Sequence, residues 1–123
     1  MSQSAKVDGI GGIFFKSADP ERQAAFYKKH FDINMGTWLH QNAGPSVFAA
    51  FKADTSYFGP AENRFMINLR VNDIDALMTS LRADGVTELG YDDEEYGRFF
   101  RFLDPEGNAV ELWQPPEGEL PEE

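Results

Sequence analysis

Apolar and polar positions alternate in some stretches of this chain and recur at helical spacing in others. The clearest alternating stretch is "YGRFFRFLDPEGNAVELWQP", Tyr96 to Pro115. Two runs of strand-forming residues flank "DPEG", which suits a type I turn with Pro105 at its second position and Gly107 in the left-handed conformation. That turn pairs Asp104 with Asn108. Counting back, it pairs Leu103 with Ala109, Phe102 with Val110, Arg101 with Glu111 and Phe100 with Leu112. Directly opposed residues share a face. Phe100, Phe102, Val110 and Leu112 therefore form a core face. Phe99, Arg101, Leu103, Ala109, Glu111 and Trp113 form the opposite one, where a single acid stands among largely apolar neighbours.

Two helical stretches follow matching strand-like runs. In "FMINLRVNDIDALMTSLRADG", Asp73 is a good N-cap, because its carboxylate can accept from free N–H groups of the first turn. Ile74, Leu77, Met78 and Leu81 then make one buried stripe. Gly85 can take the left-handed conformation that ends a helix. In "GGIFFKSADPERQAAFYKKHF", Asp19 caps and Pro20 occupies the first helical position, where its missing N–H costs nothing. Ala24, Tyr27 and Phe31 form the predicted buried face.

Further strands are expected in "MGTWLHQ" and "SVFAAFK", parted by the turn signal "NAGP", and near "VTELGY". "ADTSYFGPAEN" reads as a linker and "YDDEEYG" as an acidic loop or lid. The order is β-α-β-β-(β), twice. The expected architecture is a single α+β domain over residues 1–123, built of paired βαβββ modules. Joined edge to edge, they form a curved mixed sheet, a cup, with the helices on its outer face. Module one spans about 7–58, the linker about 54–64, module two about 65–115 and an acidic tail 116–123. By alternation, Ile67, Leu69 and Val71 face the helices and Met66, Asn68 and Arg70 face the cup. Likewise Ile13 and Phe15 face the core, while Gly12, Phe14 and Lys16 face the cup.

Composition narrows the partners. The 11 basic and 21 acidic residues leave a formal charge of −10, which argues against nucleic acid or an anionic membrane. No cysteine is present, so disulfides, thiolate metal sites and cysteine nucleophiles are excluded. The N-terminal "MSQSAKVDG" has no apolar run of the kind a signal peptide carries, and nothing approaches the length of a membrane span. The expected location is the cytoplasm.

"IFFKSADPERQAAFYKKHF", "INLRVNDIDALMTSLRADGV" and "FLDPEGNAVELWQP" together resemble the vicinal oxygen chelate superfamily, which includes glyoxalase I, extradiol dioxygenases and bleomycin-resistance proteins. The resemblance covers about Val7 to Pro115, and D-P-x-G-N-x-x-E-L is its most specific part. It implies paired modules around a cup, and often a homodimer. It also implies a divalent metal held from the first strand of each module and from the last strand. Laid onto this chain, those positions fall at Gly12, Met66 and Glu111. A glycine offers no donor, and a thioether is a poor ligand for such ions. No cofactor is therefore expected, although a divalent metal is left open.

The remaining candidates each carry two readings. Glu111 is either a general base or ligand acceptor, or one half of an ion pair with Arg101. Phe14, Lys16, Asn68, Arg70, Phe99, Arg101 and Trp113 are the expected ligand-binding residues of an apolar cup with a few polar groups. Their alternative is cross-strand pairing or rim packing. His30 suits capping or packing near a helix end, and His40 could enter the cup. The leading expectation is a metal-independent protein that binds a small aromatic or amphipathic molecule, as a homodimer. One rival is a metal-independent lyase, isomerase or epimerase using Glu111 as acid and base. Another is a metal-dependent glyoxalase- or dioxygenase-type enzyme, disfavoured by Gly12 and Met66. The last is a purely structural or partner-binding module.

Overall fold

The computed structural model describes residues 5–118; the last five residues of the expected acidic tail lie outside them. Helix α1 (Pro20–Phe31) comes first. Strand β1 (Met66–Arg70), helix α2 (Ile74–Ala83) and strands β2 (Thr87–Glu94), β3 (Gly97–Leu103) and β4 (Ala109–Gln114) follow. The sheet order is β1-β4-β3-β2, with β1 parallel to β4 and the other pairs antiparallel. Among the described residues no helix is long and apolar enough to cross a membrane.

The hairpin register is the one the turn chemistry predicts. Arg101 pairs with Glu111, Phe100 with Leu112 and Phe102 with Val110. The Asp104 amide donates to the Asn108 carbonyl at 2.9 Å, and Gly107 has φ 83°. Phe100, Phe102, Val110 and Leu112 are fully buried under both helices, together with Tyr27, Ile74, Met78 and Leu81. Asp19 and Asp73 cap their helices by accepting from the amides of Arg22 and Ala76, each at 3.1 Å.

The buried stripe of α1 is Gln23, Tyr27 and His30, and Phe31 is only half-buried. Two of these three are polar, which a purely apolar pattern overlooks. Gln23 and Tyr27 reach the buried Asp104 carboxylate at 2.6 and 2.9 Å. Three further donors, the amides of Glu106 and Asn108 and the Asn108 side chain, complete its hydrogen bonding. His30 is a packing residue: its ring nitrogens lie 2.7 Å from the Ser80 hydroxyl and 2.6 Å from the Asp84 carboxylate, tying α1 to α2.

The paired-module cup is not what forms. A single βαβββ unit makes one four-stranded sheet, which neither closes nor curls. Among the described residues of the first half, α1 is the one regular element, and the expected strands around 12–16, 35–41 and 46–52 are absent. The physical reason lies in their composition. Gly9, Gly11 and Gly12 bring no side chains to pack, and Gly44, Pro45, Ala49 and Ala50 are poor strand formers. The carbonyls of Asn42 and Pro45 accept from the Arg70 guanidinium, both at 2.6 Å, instead of from a neighbouring strand. The cup-facing alternation assigned to Gly12, Phe14 and Lys16 fails with its strand. "YDDEEYG" is also not a loop throughout: Tyr91–Glu94 belong to β2, paired with β3 as far as Glu94 with Gly97.

Candidate functional site

The face of the sheet away from the helices is organised in rows across the strands. One row runs Arg70, Trp113, Phe99 and Asp92. The next runs Asn68, Glu111, Arg101 and Gly90. An open hollow of about 2450 Å³, several times a typical small-molecule pocket of roughly 300–1,000 Å³, is bordered by this face and residues 39–58 and extends past β1 to Phe31, Ile33 and Leu77 on the helix side.

Glu111 sits at the floor of the hollow, only 5% exposed. Its carboxylate accepts from the Asn68 side chain at 2.8 Å and from the Tyr57 hydroxyl at 2.5 Å. Asn68 arrives by strand register, as the direct β1 neighbour of Glu111 on β4. Tyr57 arrives from the linker and is not among the residues that the sequence pattern singles out. A tyrosine in an irregular segment carries no periodicity, so the only available signal was its aromatic character among polar linker residues.

Arg101 stands directly across from Glu111 but turns to Tyr57. Its guanidinium lies 3.8 Å from the centre of the Tyr57 ring and donates to the Tyr57 carbonyl at 3.0 Å. The expected Arg101–Glu111 ion pair is not among those formed by the described residues. Gly90 makes room for this arrangement, since a Cβ there would stand 2.4 Å from an Arg101 terminal nitrogen. Phe51 stacks on Tyr57 with centroids 5.5 Å apart and planes 23° apart. Burial pushes the Tyr57 hydroxyl far above its ordinary pKa, and the hydrogen bond to the Glu111 carboxylate adds to that. The phenol is therefore held as a neutral donor.

The other expected residues separate into two groups. Phe99 and Trp113 form an aromatic wall, with rings 6.2 Å apart and 4° from parallel, and the Trp113 indole donates to the Tyr96 carbonyl at 2.9 Å. Asn68 and Arg70 line the hollow with them, although the Arg70 guanidinium is committed to the 42–45 backbone. Phe14 and Lys16 are exposed and do not line the hollow, and Phe14 is 94% exposed. His40 lies on the rim of the hollow in the exposed segment after Trp38.

Comparison with known families then settles the kinship: the glyoxalase-like domain matches residues 12–113, most of the chain. This chain belongs to the glyoxalase-like family. A solved structure of a protein of unknown function from Agrobacterium tumefaciens str. C58 shares this glyoxalase-like fold. It is 19% identical, with a TM-score of 0.53, over 87% of this chain and 98% of that one. TnmS3, an antibiotic binding protein from Streptomyces sp. CB03234, is 34% identical over 44% of this chain, with a TM-score of 0.40. That match spans 46% of the TnmS3 chain, less than half its length. No curated protein matches significantly.

The donors of this glyoxalase-like chain do not suit the metal its superfamily implies. Both Glu111 oxygens already accept hydrogen bonds, and the other two expected positions are Gly12 and Met66. Among the described residues no three His, Asp or Glu side chains gather as a metal site requires.

Proposed function

We propose that the chain binds a small aromatic or amphipathic molecule on the open sheet face, without a tightly held metal. The observation that carries this reading is the polar centre in an aromatic setting: buried Glu111, held by Tyr57 and Asn68, beside the parallel Phe99 and Trp113 rings. Apolar walls with a few placed polar groups are the usual make-up of a small-molecule site. The test is a screen of planar aromatic compounds by thermal shift and by quenching of Trp113 fluorescence, with Trp113→Phe as the control for Trp38. Binders that stabilise the protein and lose their quenching in Trp113→Phe support the reading. A broad panel that produces neither effect overturns it.

Proton transfer by Glu111 is the second reading, favoured by the 2.5 Å contact between a carboxylate and a phenol. It requires an activity that Glu111→Gln lowers by orders of magnitude while the fold survives. Assembly as a homodimer belongs to the same proposal. Trp38 is 89% exposed and Phe48 94% exposed, with Val47 and Phe65 close behind, and a second copy would cover such surface. Light scattering that shows a monomer at all concentrations overturns that part.

A further inference from the structure

Tyr57 occupies its slot as a ligand would. Phe51 stacks against its ring, the Arg101 guanidinium lies over the ring 3.8 Å from its centre, and its hydroxyl donates to buried Glu111. A planar ring, two flat partners and one acceptor at the end describe a binding site for a phenol. Here the phenol is supplied by the chain itself. We infer that Tyr57 is an internal stand-in for the ligand, and that a planar ring bearing a hydroxyl donor takes the same slot by displacing it. The inference rests on the binding role proposed above and names its chemical class.

Three features make the displacement local. The Tyr57 carbonyl is held by Arg101, and the Tyr57 amide donates to the Thr55 hydroxyl at 3.2 Å. Farther along, Asn63 donates to the carbonyls of Phe58 and Gly107 at 3.2 and 2.8 Å, so the linker stays fixed to the sheet. The side chain can then leave by rotation alone, because Tyr57, Phe51 and Glu111 all border the open hollow. The Arg101 Nε is buried and has no hydrogen-bond partner.

The slot also sets a chemical preference. Glu111 already accepts from Asn68, and its other oxygen faces the ring position. A ring without a donor would leave that buried oxygen unpaired, which is costly. A ring hydroxyl restores the bond. An internal occupant reduces apparent affinity by the fraction of time the slot stands empty, and a minor open state is commonly 10% or less.

The test uses p-cresol, which is the tyrosine side chain as a free molecule, and 4-methylanisole, which lacks the donor. In Tyr57→Ala, p-cresol affinity rises at least about tenfold over the native protein, as removal of that occupancy requires. 4-Methylanisole gains little, and Glu111→Gln removes the preference between them. A folded Tyr57→Ala that binds both compounds equally, or neither, overturns the inference. Should Tyr57→Ala not fold, ring-labelled tyrosine NMR of the native protein decides. Saturating p-cresol moves the Tyr57 signals, assigned with Tyr57→Phe, to solvent-exposed positions; p-cresol bound with those signals unmoved overturns it. If the slot fails while other aromatic compounds still quench Trp113, the binding role stands and only the displacement is lost.

Discussion

Arg101 and Glu111 face each other across the β3–β4 ladder, yet the guanidinium covers the Tyr57 ring and the carboxylate takes the Tyr57 hydroxyl. Two opposite charges in adjacent positions are joined through a neutral residue from the linker. A double-mutant cycle separates the possibilities. Tyr57→Phe is expected to lower stability by about 1.5–3 kcal/mol, the range for a hydrogen bond to a charged group. Tyr57 and Glu111 should couple by about 1 kcal/mol or more, and Arg101 and Glu111 by less than about 0.5 kcal/mol, in urea unfolding.

Gly90→Ala probes the floor of the slot. The new methyl would meet the end of the Arg101 side chain, which can move, and no backbone atom. The expected result is a protein that keeps its fold but loses the Arg101 hold on Tyr57. Thermal melting should shift modestly, while Tyr57 NMR signals move toward those of an exposed ring.

Gly97→Ala should be far worse. Gly97 has φ 135°, and a Cβ there would lie 2.4 Å from the Trp113 indole nitrogen and 2.6 Å from the Gln114 carbonyl. Backbone strain adds to a clash inside a packed hairpin. A loss of about 3 kcal/mol or more is expected by denaturant titration.

Asp104→Ala removes the buried carboxylate that receives Gln23, Tyr27 and Asn108. Its partners are left buried and unpaired, so the expected cost is about 3 kcal/mol or more. The matching loss in Gln23→Ala should be smaller, because Tyr27 and Asn108 still serve the acid.

Glu106 makes acid stability testable. Its carboxylate accepts from the Ser17 hydroxyl and from the amides of Ala18 and Asp19, pinning the start of α1 to the β3–β4 turn. The Ser17 hydroxyl, then the Ala18 amide, hold its pKa below the ordinary value of 4.5. A carboxyl lowered by folding contributes stability that is fully present above its unfolded value. That contribution disappears as the pH falls through the lowered value. The stability difference between native protein and Glu106→Gln should therefore be constant above about pH 5 and shrink below about pH 4, in melts across that range.

The elements legible in the sequence are those whose signals are local. Asp19, Pro20, Asp73 and Gly85 mark helix ends through bonds within a turn. "DPEG" sets the hairpin register, and with it the pairing of Arg101 with Glu111 and the split of core from open face. Tertiary structure alone decided the rest. The strand-like runs of the first half did not become strands, because pairing depends on a partner and on side chains to pack, and their glycines, alanines and proline supply neither. The His30 and Gln23 contacts were hidden because polar groups are buried only where a distant partner meets them. Tyr57 reached Glu111 across 54 positions of chain, a contact made by the path of an irregular linker, which no periodic pattern encodes.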